Sequence, residues 1–330
     1  MSLPPVEIPL GAMRFNSDSQ KLEYWMGSAW MQIHTFSPNL DGGVRGLFCR
    51  GYKSPSNKDV IDFITIPTQG NATDFGNALS SNRQGGATGS NTRAVLHGRD
   101  GGSDVIEFVT FSSTGNATDF GNGTTSRSGS PASVSNGTRG IFAGAYAPAI
   151  SNGNLIDFVT IASTGDAVDF GDLSQIHSEG GRAQSPTRGV IAGGRSPSYT
   201  TNIDFITMAT LGNGTSVGDL TVARNEIASD SNSTRGLFAG GATPSNSDVI
   251  EFITLASLGN SIDFGDQGTA SQAGRGCASS IRFCYNLGSP NGNTIEFVTI
   301  ATQGDAVDFG DLTEDRQQAA GVSNGHGGLG

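Results

Sequence analysis

Short apolar runs recur along this chain at a nearly constant interval, each carrying one acid and one aromatic at the same place. The runs are Ile61-Asp62-Phe63-Ile64-Thr65, Ile106-Glu107-Phe108-Val109-Thr110, Ile156-Asp157-Phe158-Val159-Thr160, Ile203-Asp204-Phe205-Ile206-Thr207, Ile250-Glu251-Phe252-Ile253-Thr254 and Ile295-Glu296-Phe297-Val298-Thr299. Their phenylalanines lie 45, 50, 47, 47 and 45 residues apart. Only short strand-like segments fit inside that period, which predicts a four-stranded propeller blade per repeat rather than a helical solenoid.

The fifth repeat shows the unit. Arg224 to Asn232 reads as a polar, small-residue strand, and Thr234 to Gly241 as an apolar strand ended by a double glycine. A loop, Ala242 to Ser247, leads to the acidic-aromatic strand Val249 to Leu255. A fourth strand, Asn260 to Phe264, is closed by Gly265, glycine being the residue that tolerates positive φ. The second strand begins with Arg45, Arg93, Arg139, Arg188 and Arg235 in five repeats, and in the sixth becomes Ile281 to Tyr285. The fourth strand carries Asp-Phe-Gly at 74–76, 119–121, 169–171, 263–265 and 308–310, whereas the fourth repeat has Ser216-Val217-Gly218.

Strand counting predicts how the chain closes. The polar inner strand precedes repeats two to six, starting near Arg83, Arg127, His177, Arg224 and Ser271. A further copy, Arg316 to Gly325, has no repeat after it, and the first repeat has no such strand before it. Lending the last copy to the first repeat covers an open sheet edge. The expected fold is therefore all-β: a six-bladed β-propeller over residues 41–330, closed by a C-terminal strand and preceded by a small N-terminal β-meander in residues 1–40. Closure brings the two terminal blades together, and with them Cys49 and Cys284.

The layout resembles kelch-type propellers over residues 41–330. The resemblance rests on Gly193-Gly194 and Gly240-Gly241, the acidic-aromatic strand that follows each, and a Leu with an Arg four residues on (Leu220 and Arg224; Leu312 and Arg316). Kelch repeats carry Tyr and Trp at fixed places; here Phe replaces them, and no Trp follows Trp30. The resemblance implies a fold and no particular activity.

Residues 1–40 have a different pattern. Leu3 to Pro9 reads as a proline-stiffened arm, followed by strands at Gly11–Asn16, Lys21–Trp25 and Trp30–Ile33. So small a sheet needs a surface to cover its aromatic face, which makes Phe15, Tyr24, Trp25 and Trp30 candidate assembly residues. The sequence Gly-x-x-Arg-Phe-Asn, then Lys-Leu-Glu-Tyr-Trp with a Trp six residues after Tyr24, resembles segments of bacteriophage tail and fibre proteins. Gly/Asn/Thr-rich kelch-like repeats of marine phages are similar to those here. The resemblance implies a virion structural protein with an N-terminal attachment element.

The remaining chemistry is sparse. A net charge of −11 with three lysines (Lys21, Lys53, Lys58) disfavours nucleic acid, which needs clustered cations. No run of eighteen apolar residues predicts a membrane span, and Met1 to Leu10 lacks the pattern of a secretory signal. Cys49, Cys277 and Cys284 are accordingly expected as free thiols, with no CxxC and no metal site. His34, His97, His177 and His326 form no metal-binding motif, and the clustered His and Tyr of a copper oxidase are missing. Absence of Trp from the repeats removes a sialidase. Asp-Phe-Gly lacks every other kinase motif, and Gly325 to Gly330 matches a dinucleotide fingerprint with no helix to follow it. Asp100 to Asp104 reads as a surface turn rather than a calcium loop, and the Asn-x-Ser/Thr triplets as turn residues. The repeated Arg and the repeated acid are expected to form one charged pair per repeat, a structural role.

These readings converge on a non-enzymatic virion protein with no cofactor, docking other virion proteins through residues 1–40. Its propeller would serve adhesion to a host surface glycan or protein, or decoration of the particle. Homo-oligomerisation is compatible with this. A cytoplasmic kelch-type interaction scaffold is the alternative, and a propeller enzyme is disfavoured. Loops after the double-glycine strand share one face with the blade connections, so Arg50, Tyr52, Arg99, Tyr146, Arg195 and Tyr199 are the candidate binding residues.

Overall fold

The computed structural model describes residues 8–16, 21–32, 44–144, 153–290 and 292–329. The chain divides into two compact units, Met1–Asp41 and Gly42–Gly330. The first holds an antiparallel sheet in the order β1 (Met13–Asn16), β2 (Lys21–Trp25), β3 (Trp30–Gln32). Ile33 and Leu3 to Glu7 of the expected arm lie outside the described residues. Register places Met13 opposite Tyr24 and Tyr24 opposite Met31, so these three share a face with Phe15. The opposite face carries Trp25 against Trp30, with ring centroids 5.5 Å apart, and the Arg14–Glu23 ion pair.

The second unit is all-β apart from one 3-10 turn at Gly327–Leu329 among its described residues. Its strands form successive four-stranded antiparallel sheets. Sheet one runs Ala320–Ser323, Arg45–Lys53, Ser56–Thr65, Thr73–Asn82. Sheet two runs Gly86–Gly89, Arg93–His97, Ser103–Thr110, Thr118–Arg127, and sheet three Ala132–Ser135, Arg139–Ala143, Leu155–Thr160, Val168–Asp172. Sheet four runs Gly181–Gln184, Arg188–Ala192, Asn202–Thr207, Thr215–Asp219. Sheet five runs Ala228–Ser231, Arg235–Ala239, Ser245–Thr254, Ile262–Ser271, with the short strand Ala242–Thr243 added. Sheet six runs Arg275–Ala278, Arg282–Asn286, Thr294–Thr299, Val307–Asp311.

The C-terminal strand is built into the first sheet: Ala320 to Ser323 pair antiparallel with Cys49 to Gly46. Each sheet's first strand also lies against the first strand of the next, and Ala320–Ser323 lies against both Arg275–Ala278 and Gly86–Gly89. Apolar clusters fill the spaces between consecutive sheets. One joins Leu47, Cys49 and Ile61 to Ala94, Leu96 and Val109; another joins Phe48 and Ile64 to Cys277, Cys284 and Phe297. The three cysteines are free and buried, with Cys49 in the first of these clusters and Cys284 in the second.

Two sequence expectations are corrected here. The Asp-Phe-Gly motif does not close the fourth strand, which continues through it. In sheet five Asp263 opposes Glu251 and Gly265 opposes Ile250, so Phe264 is the extra residue of a β-bulge. The bulge turns that phenylalanine into the core, edge-on to the phenylalanine of the third strand, as in Phe252–Phe264 at 5.8 Å. Its glycine has φ between 144° and 152° in five sheets and touches the neighbouring sheet's backbone. A Cβ on Gly121 would lie 2.5 Å from the Gly165 carbonyl carbon. Sheet four lacks the Asp and the Phe but keeps Gly218, packed in the same way on Gly259.

The expected Arg–acid pair per repeat does not form either. Arg139 opposes Thr160 in the register, three residues from Asp157 and on the other face of the strand. The arginine instead reaches the next sheet. Arg93 Nη1 donates to Ile161 and Ala162 O, Arg139 to Met208 and Ala209 O, and Arg235 to Ile300 and Ala301 O. Arg188 and Arg45 do the same to Leu255 and Phe111 O. Arg282, hidden in the degraded sixth repeat, completes the set by donating to Ile66 and Pro67 O of sheet one. Each of these guanidiniums lies over its own sheet's third-strand phenylalanine, as Arg139 does over Phe158 at 4.8 Å.

Candidate functional site

The repeated carboxylates are consumed by a second set of links. Thr313, Thr124, Ser174 and Thr221 each donate backbone N–H and hydroxyl to the acid of the following sheet: Asp62, Asp157, Asp204 and Glu251. Leu79 N and Gly268 N donate to Glu107 and Glu296. Buried arginines complete three of these sites, with Arg316 on Asp62, Arg127 on Asp157 and Arg224 on Glu251. His177 stands 3.6 Å from Asp204, and Glu296 takes the Tyr285 hydroxyl. Removing one partner of such a pair strands a buried charge and costs about 3–5 kcal/mol. These groups hold sheets together.

Glu107 departs from the pattern. The residue placed to serve it, Arg83, turns away to Asp100, and Arg50 of sheet one enters instead. Arg50 Nε and Nη2 donate to Glu107 Oε1 at 3.0 and 2.5 Å, and its Nη1 donates to Gly98 O at 2.8 Å. To do so Arg50 adopts φ 60°, where sheets two to five have Gly98, Gly144, Gly193 and Gly240. A left-handed arginine carries a backbone cost of about 1 kcal/mol, offset here by the buried ion pair.

Behind Arg50 the interface of sheets one and two opens into a cavity of about 290 Å³, near the lower end of small-ligand sites. The Arg50–Glu107 ion pair forms its floor, Leu79 and Val105 its apolar rim, and Ser80, Ser103 and Arg99 the remaining polar wall. Leu79 is 49% and Val105 37% exposed. Arg99 is half-buried; its Nε donates to Gly102 O, and its Nη atoms have no partner among the described residues. His97 lies close by, with Nδ1 3.3 Å from Val105 O. Burial, then the nearby Arg127 charge, pushes its pKa down to about 4.

Two of the sequence-derived candidates, Arg50 and Arg99, thus meet in one cavity. Tyr52 lies beside them on the same strand as Arg50, under the Arg83 guanidinium at 4.4 Å. Arg195 and Tyr199 face each other across a separate two-stranded hairpin, at 5.9 Å. Tyr146 lies outside the described residues. Asp100, in the segment read as a surface turn, is paired with Arg83. Among the described residues no group of three or more His, Cys, Asp or Glu is placed to hold a metal.

The axis where the first strands meet is filled. Arg182 reaches across it, donating to Ala87 O and Gly321 O, and leaves a cavity of about 20 Å³, room for one water. The glycine-rich C-terminus fills the other end: His326 Nε2 is 3.1 Å from both Ser135 Oγ and Gly89 O. Gly327 and Gly328 pack directly on Asn232 O and Ser135 O, which leaves no space for a Cβ. That packing accounts for the apparent dinucleotide fingerprint.

Sequence reasoning missed Glu107, Leu79, Ser80, Ser103 and Val105 as parts of one site. One signal for it was legible, since Arg50 stands where repeats two to five place glycine. The chain matches no protein-family model and no curated protein.

Proposed function

We propose that residues 41–330 are a kelch-like six-bladed β-propeller in a non-enzymatic phage virion protein, with residues 1–40 docking other virion proteins. On this reading the propeller serves adhesion to a host-surface glycan or protein, or decoration of the particle. The carrying observation is the way the repeated charges are spent. The arginines of the second strands and the acids of the third strands link one sheet to the next, including sheet six back to sheet one. Such use of every repeat supports a rigid closed scaffold and leaves recognition to the unrepeated loops and to the Arg50–Arg99 cavity. The docking role is supported by the apolar face of the small sheet, where Met13 and Phe15 are 67% and 66% exposed.

The test is particle composition. The chain is expected among the proteins of purified virions, and a reporter fused to residues 1–40 should be incorporated during infection where one fused to residues 41–330 is not. Absence of the chain from particles would remove the virion reading. Incorporation of the second reporter alone would remove the docking role.

A further inference from the structure

The cavity between sheets one and two has walls of unequal chemistry, and they define a ligand. We propose that it takes one carboxylate-bearing sugar unit, of the kind found in acidic surface polysaccharides; the inference rests on the glycan-binding reading above. The Arg50–Glu107 pair makes the floor neutral, because Glu107 Oε1 is held by Arg50 and Oε2 by Leu79 N. Among the described residues, one cationic group is therefore left to face the cavity, Arg99. Its Nε bond to Gly102 O fixes the plane of the guanidinium and leaves both Nη atoms for a bidentate carboxylate.

The other walls match the rest of such a ligand. Leu79 and Val105 offer exposed apolar surface to the C–H face of a pyranose ring. Ser103 Oγ accepts from Val105 N, so its proton is available to a ring hydroxyl, and Ser80 stands exposed beside it. A volume of about 290 Å³ suits a single ring. A dianionic phosphate would meet one cation, a neutral floor and an apolar rim. Arg50 supplies the pre-organisation: its left-handed backbone and three hydrogen bonds hold the floor before any ligand arrives.

The experiment is calorimetric and NMR titration of the full chain with D-glucuronate, D-glucose and inorganic phosphate. Glucuronate should bind saturably with Kd on the order of millimolar, as expected for so small a ligand, and glucose and phosphate far more weakly. Arg99→Ala should weaken glucuronate at least roughly tenfold, the worth of a charge-assisted bidentate contact. Val105→Trp, an exposed position that spares the core, should abolish binding by filling the cavity. Wild-type protein that ignores glucuronate, an Arg99→Ala variant that binds it equally, or phosphate binding as tightly would each overturn the proposal. The two readings fail separately. A chain that binds host cells but not glucuronate overturns the pocket alone, and glucuronate binding by a chain absent from particles overturns the virion reading alone.

Discussion

Deleting residues 316–330 should cost this protein most of its stability. The deletion removes Arg316 from the buried Asp62 carboxylate, leaving a charge without its cation at about 3–5 kcal/mol. It exposes the surface that Val322 covers, about 1.5–3 kcal/mol, and the ladder to Gly46–Cys49, at about 0.5–1.5 kcal/mol per bond. The sum is about 8 kcal/mol, comparable to the 5–15 kcal/mol that holds a whole domain, roughly. At about 2 °C per kcal/mol for a chain of this size the cooperative transition should fall by about 15 °C or vanish. Differential scanning calorimetry with near-ultraviolet circular dichroism reads this directly. A peptide of residues 316–330 added in trans should restore part of the loss. If the truncated chain melts within about 3 °C of the full one, the terminal strand is an accessory and the energetic reasoning is wrong.

Two further outcomes follow from particular residues. Gly121→Ala drives a Cβ to 2.5 Å from the Gly165 carbonyl carbon at φ 148° and should cost about 3–5 kcal/mol. Gly165→Ala, with φ 157° and no atom within 4 Å of the new Cβ, should cost only about 1–2 kcal/mol; equal melting temperatures for the two would refute the close-approach account. His97 is held neutral, with a pKa of about 4 against 6.5, so the unfolded chain takes up a proton the folded chain refuses. Its contribution is complete above pH 6.5 and is lost as pH falls towards 4, about 3 kcal/mol in all. Urea midpoints at pH 7, 5.5 and 4.5 should converge with a flatter His97→Gln series, and parallel curves would discard the assignment.

The sequence by itself determined the strand order, the repeat and the use of its end. The recurrent Ile-Asp/Glu-Phe runs, the double glycines and a leftover inner-strand copy are local signals, and sheet pairing obeys them: Ala320–Ser323 joins Arg45–Lys53. It could not determine partners across sheets. Arg139 and Asp157 look like a pair because they recur together, yet the register separates them by three positions and a face. Each then finds its partner on a neighbouring sheet, tens of residues away in the chain. The Asp-Phe-Gly glycines show the same limit, since their need for hydrogen in place of a side chain comes from the carbonyl of a neighbouring sheet, Gly165 for Gly121 and Gly70 for Gly310. The cavity is the most tertiary feature of all. Arg50 and Arg99 were visible as loop cations, but Glu107 turned from a repeat residue into the floor of a site only when Arg50 crossed between sheets to reach it. That crossing is decided by space and charge in three dimensions, because one left-handed backbone angle aims the arginine at a carboxylate that Arg83 left unpaired.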